Sequence, residues 1–190
     1  MAVILGTIVG LLVAILLTCR NKIIKPILRI YVELFRGSPL MIQLFMIYFC
    51  LPRFGLNISM SAAVILSFTL YSGAYIAEII RSGIESIPKG QWEAAMCIGL
   101  SYPKVLIHII FPQTVKAALA PLVGFYLGLI KDTSLASTIG YVELVRTAKN
   151  VMNITGTPFE AYIVVAAVFF IVCWPLSKLV KYIERRQALS

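Results

Sequence analysis

Residues 60–80 read MSAAVILSFTLYSGAYIAEII, and residues 81–113, which follow directly, read RSGIESIPKGQWEAAMCIGLSYPKVLIHIIFPQ. The first run carries one charged residue, Glu78, and is long enough to cross a bilayer, whose ~30 Å hydrocarbon core takes about 20 helical residues. The second run mixes charges, proline and glycine with short apolar stretches, so it does not continue the same span. The two runs together predict a membrane helix followed by an ordered segment outside the bilayer.

The rest of the chain is equally apolar. Hydrophobic residues make up 60% of its 190 residues, with a mean hydropathy of +0.93, whereas ordinary soluble domains are roughly 45–50% apolar. Hydropathy predicts an all-α integral membrane protein, one domain over 1–190, with about five transmembrane helices. The predicted spans are 2–19, 40–52, 60–80, 115–130 and 162–180.

The basic residues indicate the orientation of these spans. Segments 20–36, 81–116 and 178–186 hold thirteen of the seventeen Lys and Arg residues. All three segments lie on the same side of the membrane if the five spans alternate. Because cytoplasmic loops are enriched in Lys and Arg, this predicts an outside N-terminus and a cytoplasmic C-terminus.

Composition also excludes several functions. The net charge of +9 does not indicate nucleic-acid binding, because the basic residues sit in short clusters between apolar runs. The four cysteines are far apart and form no CxxC pair, so we predict neither a metal site nor a cofactor. Phosphate-binding glycine loops, zinc-protease spacing and nucleophile elbows are also missing, which argues against a membrane enzyme.

Two polar connections flank the central spans. Segment 21–36 is basic, and its apolar spacing predicts an amphipathic helix at the membrane surface. Segment 131–159 contains glycines and a proline, and we place it outside the membrane or as a re-entrant stretch.

Segment 81–113 has the pattern of a helix, a sharp turn and a second helix. Pro88 and Gly90 break the chain after the third span, and 91–100 then reads as a short helix. Gly99 falls at its end, where a positive φ is often required. Ser101 and Pro103 fit the cap and first turn of the next helix. A stiff projection of this kind can transmit motion from a soluble partner.

The same segment carries an extended motif. It consists of Glu93-Ala94-Ala95, three residues, Gly99, nine residues, Ile109, one residue, and Phe111-Pro112. This resembles the cytoplasmic loop of the permease subunits of ABC importers, in the polar amino-acid branch, with Phe111 in place of a leucine. Stretches 33–40, 74–81 and 131–135 resemble other parts of these permeases, so the likeness covers nearly the whole chain.

The resemblance implies a type I ABC importer fold in a bacterial plasma membrane. The implied partners are a separate ATPase that holds ATP and Mg²⁺, a second permease copy (identical or related), and an extracytoplasmic binding protein that delivers the amino acid. The chain itself would bind no cofactor and catalyse no reaction. The residues that would couple to the ATPase are Gln91, Glu93, Ala94, Ala95, Gly99, Leu100 and Pro112. Glu93 has a simpler alternative role, as a carboxylate favoured by the helix dipole.

Ionisable and polar residues in or beside the spans are candidates for a substrate pathway. They are Gln43, Tyr71, Glu78, Asp132, Thr133 and Ser134. Glu78 has an alternative partner in Arg81, three residues later on the same helix. Asp132 has an alternative role as a marker of the membrane interface. If Asp132 lines the path, a basic amino acid becomes the favoured substrate.

A competing interpretation is a secondary carrier driven by an ion gradient, or a channel. Either would explain the spans. Neither would explain the loop motif, and a carrier should show paired broken helices across a repeat. Dependence of transport on ATP rather than on an ion gradient distinguishes these classes.

Overall fold

The computed structural model of the chain describes residues 1–18 and 22–188. The regular elements within these ranges are helices. They are α1 (Ala2–Thr18), α2 (Ile24–Gly37), α3 (Leu40–Phe45), α4 (Met60–Glu85), α5 (Lys89–Cys97), α6 (Tyr102–Val105), α7 (Phe111–Asp132), α8 (Leu144–Thr155) and α9 (Pro158–Ala188). The predicted helix ends at Cys19 and Asn21, and the cysteine itself, lie outside the described residues.

Each predicted span coincides with an apolar helix. Three helical stretches are long and apolar enough to cross a membrane: Met60–Glu85, Tyr102–Ile139 and Pro158–Arg186. Ile24–Gly37 and Leu40–Phe54 meet the same length and hydropathy criteria only when taken as a pair, and the chain bends by 107° between them. Helix α1 is apolar but shorter, with 17 residues. The prediction of an all-α membrane protein is confirmed.

Helix α1 packs closely on α4 because two glycines face it. A Cβ atom on Gly6 would lie 1.8 Å from the Ser72 hydroxyl oxygen, and one on Gly10 would lie 2.6 Å from the Ile76 Cβ. Gly6 and Gly10 are four residues apart, the spacing that lets membrane helices approach closely. Residues Val13, Ala14 and Leu17 of α1 then join Ile76, Ala77 and Ile80 of α4 in a buried cluster.

Helix α2 lies against this pair. Val32 is buried in the same cluster, with Leu28 and Tyr31 packed beside it. The Tyr31 hydroxyl donates a hydrogen bond to the Leu70 carbonyl oxygen at 2.7 Å. The sharp bend after α2 sets it at a large angle to the following apolar helix, and its position at the membrane surface stays a prediction.

Segment 81–113 is less separate from the spans than predicted. Residues 81–85 are the last turn of α4, and Tyr102–Ile139 forms a helix of 38 residues. The structure shows no break in the helix where the loop was predicted to give way to the fourth span, near residue 115. At 1.5 Å per residue this helix is roughly 57 Å long, so a large part of it must project from the ~30 Å core.

Two π-helical turns interrupt the long helices. They are Met46–Cys50 and Leu106–Ile110. Each ends two residues before a proline, Pro52 and Pro112 respectively. A proline lacks an N–H and its ring crowds the preceding turn, so a wider turn accommodates it.

The predicted polar stretch 131–159 is also helical. A 3₁₀ segment, Thr133–Ile139, continues from α7 and ends at Gly140. Helix α8 follows, and the Glu143 carboxylate caps it by accepting hydrogen bonds from the backbone N–H groups of Val145 and Arg146 at 2.9 and 2.7 Å. These caps explain why α8 starts where it does.

Candidate functional site

The turn after α5 is closed by a glycine in the left-handed conformation. Gly99 has a φ of +85°. Its N–H donates to the Met96 carbonyl oxygen at 3.0 Å, and the Leu100 N–H donates to the Ala95 carbonyl oxygen at 3.3 Å. This pair of bonds is the Schellman motif, which satisfies the last carbonyl groups of a helix. The motif's glycine is therefore required by backbone conformation, as the sequence predicted.

The inner side of α5 is packed on the start of the long helix. Ala95 is 4% exposed and clusters with Val105 and Ile110. Leu100 packs against the same cluster, and Trp92 stacks on Tyr102 with ring centroids 5.5 Å apart. Ser101 occupies the cap position of α6 but its side chain makes no capping hydrogen bond. These contacts join α5 rigidly to the Tyr102–Ile139 helix.

The outer side of α5 is open. Gln91, Glu93 and Ala94 are exposed, and Ile98 is 77% exposed. Within the described part of the chain the Glu93 carboxylate makes no ion pair or hydrogen bond. Pro112, the last of the predicted coupling residues, is exposed on the long helix. The predicted set thus divides into a packed group, Ala95 and Leu100, and an accessible group.

A cluster of ion pairs lies at the C-terminal end of α4, on the side of α5. The Arg81 guanidinium donates two hydrogen bonds to Glu78, both at 2.7 Å, and also pairs with Glu85. Arg36, at the end of α2, forms an ion pair with Glu78 at 3.1 Å. Glu78 therefore has the local partner proposed from the sequence and a second one that the sequence did not predict.

A cavity of about 330 Å³ opens beside this cluster, between α4 and α7. Arg36, Tyr75, Glu78, Ser82, Ala117 and Pro121 line it. The Arg36 guanidinium lies 5.6 Å from the centre of the Tyr75 ring, within the range of a cation–π contact. Sequence reasoning missed Arg36 and Tyr75, because they meet only when α2 and α4 pack.

The other pathway candidates lie in two places. Tyr71 belongs to an aromatic group with Tyr75 and Phe125, at centroid distances of 4.6 and 6.2 Å. Tyr71 also packs against a buried cluster that includes Leu129 of α7. Asp132 is half-buried at the end of the same helix, three residues after Leu129.

Gln43 lies apart from this pair, at the junction of α2 and α3. Its side-chain amide donates hydrogen bonds to the carbonyl oxygens of Phe35 and Ser38 at 2.8 and 3.0 Å. Its Oε1 atom is buried without a described partner. The hydroxyls of Thr133 and Ser134 donate to carbonyl oxygens of their own helix, so only their lone pairs remain for a ligand.

Apolar helices with a rigid, outward-facing helical projection that carries the motif of residues 93–112 are the features of the permease subunits of ABC importers. The chain belongs to the family of binding-protein-dependent transport system inner membrane components, whose model matches residues 6–189.

Relatives of known family and a solved structure support the same family assignment. The chain is 38% identical over 185 residues to the L-cystine transport system permease protein TcyB of Bacillus subtilis, covering 96% of this chain and 79% of TcyB. It is 38% identical over 192 residues to the putative glutamine transport system permease protein GlnP of Rickettsia felis, covering 100% and 87%. A crystal structure of an amino acid ABC transporter with histidines superposes with a TM-score of 0.91 at 37% identity, over 97% and 86% of the two chains.

A more distant structure shows the fold alone. The MetNI methionine ABC transporter, in an inward-facing conformation, matches with a TM-score of 0.70 at 18% identity, over 96% of this chain and 89% of that one. The type I importer permease fold is therefore confirmed. The carrier or channel interpretation is not favoured.

Proposed function

We propose that this chain is the permease subunit of an ATP-driven importer for a polar amino acid. The named relatives TcyB and GlnP support the substrate class, because their names refer to cystine and glutamine. The observation that carries the proposal is the accessible face of α5, where Gln91, Glu93 and Ala94 stand on a helix locked by Gly99.

The proposed coupling follows from how α5 is held. A separate ATPase subunit, which would hold ATP and Mg²⁺, binds the exposed face of α5 in a groove. Because Ala95 and Trp92 pack on the start of the Tyr102–Ile139 helix, displacement of α5 moves that helix as a unit. The same helix carries Asp132 at its far end, so movement at the ATPase reaches the region of the pathway candidates.

The proposed assembly contains two permease subunits, identical or related, and an extracytoplasmic binding protein. We place the chain in a bacterial plasma membrane, and the thirteen clustered basic residues support a cytoplasmic C-terminus and an outside N-terminus. In this orientation α5 faces the cytoplasm, where ATP is available, and Asp132 lies towards the opposite side.

We propose that Asp132 and Tyr71 contact the substrate as it passes. A carboxylate attracts an ammonium or guanidinium group through charge, and an aromatic ring attracts it through the ring quadrupole. Gln43, Glu78, Thr133 and Ser134 are weaker candidates, because each already makes hydrogen bonds or ion pairs within the chain. This arrangement favours a basic amino acid among the polar ones.

Affinity purification of the full chain from native membranes, with partners identified by mass spectrometry, tests the proposal. We expect a nucleotide-binding ATPase to copurify with the native chain and to be lost with Glu93→Lys. The matched control is Glu184→Lys, which reverses an exposed carboxylate on α9 and should retain the ATPase. Well-assembled chain that copurifies with no ATPase would contradict the proposal, and so would uptake driven by an ion gradient without ATP.

A further inference from the structure

Helix α2 has three distinct faces. Leu28, Tyr31 and Val32 form the first face, which packs on α1 and α4. The second face is apolar and exposed. Its residues are Ile27, Ile30 and Leu34. The third face is charged, with Lys25, Arg29, Glu33 and Arg36 at helical spacing. An ordinary surface helix needs only a packed face and a polar one, so the exposed apolar face requires a separate explanation.

The charged face borders a cavity of about 180 Å³. The cavity lies between the ends of α1 and α4, helix α2 and the coupling projection, which consists of α5, its turn at Gly99 and the start of α6. Its lining includes Lys25, Arg29, Arg81, Glu85, Trp92 and Tyr102. At about 30 Å³ for each water molecule, it has room for a group the size of about six waters.

The charges around this cavity are not balanced. Arg81 pairs with Glu78 and Glu85, so its charge is already compensated. Lys25 and Arg29 form no ion pair with any carboxylate in residues 1–18 and 22–188. The lining therefore presents three cations and one carboxylate, with two cations left for an anion from outside the chain.

The exposed apolar face identifies the source of that anion. Ile27, Ile30 and Leu34 are 61%, 66% and 62% exposed. Apolar side chains in a row on an amphipathic helix are typical of a helix that lies in the membrane interface, with its cations at the headgroups. An acidic segment of a soluble protein would satisfy the cations but would leave these side chains in water.

We propose that the cavity beside Lys25 and Arg29 binds the headgroup of an anionic phospholipid of the leaflet in which the exposed apolar face of α2 is immersed. Basic pockets between membrane helices are known to hold acidic lipid headgroups. Since Trp92 lines the same cavity as Lys25 and Arg29, the lipid joins α2 to the base of the coupling projection. This site is separate from the substrate pathway and does not depend on the proposed transport function.

The test is a titration of the purified full-length chain in detergent with phosphatidylglycerol or phosphatidylcholine, read by native mass spectrometry. We expect selective retention of phosphatidylglycerol. The double variant Lys25→Gln, Arg29→Gln should weaken that binding about 30-fold, which is about fivefold for each cation removed near a lipid surface. The charge-retaining variant Lys25→Arg, Arg29→Lys should bind within about twofold of the native chain, because the headgroup attraction depends mainly on charge.

The matched control removes an equal charge at the same spacing elsewhere. Lys181→Gln, Arg185→Gln alters two exposed cations on α9 and should leave retention of phosphatidylglycerol unchanged. An equal loss in both double variants would overturn the proposal, because net charge alone would then account for binding. Displacement of the lipid by inorganic phosphate would assign the site to a free anion. Unchanged lipid binding with loss of a copurifying ATPase would assign it to a protein.

Discussion

The requirement for a left-handed residue at position 99 can be tested with a matched pair of glycines. Gly90 lies in the first turn of α5 and Gly99 lies just beyond its end, and a Cβ atom added to either would meet nothing within 4 Å. They differ in backbone conformation, because Gly99 has a φ of +85° whereas Gly90 does not have a positive φ. Any difference between Gly99→Ala and Gly90→Ala therefore measures conformational strain rather than a steric clash.

The expected magnitude follows from this geometry. An L-residue in the left-handed region costs about 1–2 kcal/mol, so Gly99→Ala should reduce the population of the closed turn about 5–30-fold. Gly90→Ala should be neutral or stabilise α5 by about 0.5–1 kcal/mol, because alanine loses less backbone entropy than glycine. Gly99→Asn should cost less than Gly99→Ala, because asparagine tolerates this conformation.

Hydrogen exchange at the Leu100 amide is the assay for the turn itself, because that N–H bonds to the Ala95 carbonyl oxygen only when the turn is closed. We expect faster exchange in Gly99→Ala by a factor in the same range. Copurification of an ATPase should fall in parallel. Equal exchange rates in Gly99→Ala and Gly90→Ala would refute the reasoning. Faster exchange with unchanged ATPase recovery would confirm that Gly99 closes the turn but would contradict a role of the turn in coupling.

Three further predictions concern the membrane helices. Gly10→Ala should lower the free energy of unfolding of the purified chain by about 1–3 kcal/mol, because the added methyl group would overlap Ile76. Gly124→Ala is the control and should leave the Tm unchanged, because a Cβ atom there meets nothing within 4 Å. Equal losses of Tm in the two variants would argue against close packing of α1 on α4. Glu78→Gln should lower the free energy of unfolding by about 1–2 kcal/mol, between the values for exposed and buried ion pairs. The reason is that Arg36 and Arg81 both lose their carboxylate partner. An unchanged Tm would show that these ion pairs add no stability. Asp132→Asn should lower uptake at an unchanged amount of protein in the membrane, and normal uptake would remove Asp132 from the pathway.

In segment 81–113 the turn was predictable from the sequence, whereas the continuity of the following helix was not. The positive φ at Gly99 was predictable, because it follows from a glycine at the end of a short helix. The continuous Tyr102–Ile139 helix was not predicted. Pro112 and Pro121 resemble helix breakers in sequence. In the structure Pro112 follows a π turn and Pro121 lies inside α7, so neither ends the helix.

For the pathway candidates, the sequence identified the unusual residues but not their partners. Hydropathy identifies Glu78 and Asp132 as unusual, because charged residues are costly in a membrane. The sequence did not indicate that Glu78 also binds Arg36. The close approach of α1 to α4 was likewise missed, although Gly6 and Gly10 carry its spacing, because this spacing alone does not name the facing helix.

The sequence by itself determined the apolar helices, the family of the chain and the glycine turn at 99. These depend on properties read over a single helix or turn: mean hydropathy, motif spacing and backbone conformation. Only the tertiary structure decided that Arg36 meets Glu78, that Tyr71 packs against the cluster that includes Leu129, and that α5 packs on the long helix. Those contacts join different helices, and their geometry is set by side-chain packing between helices, which local sequence patterns do not encode.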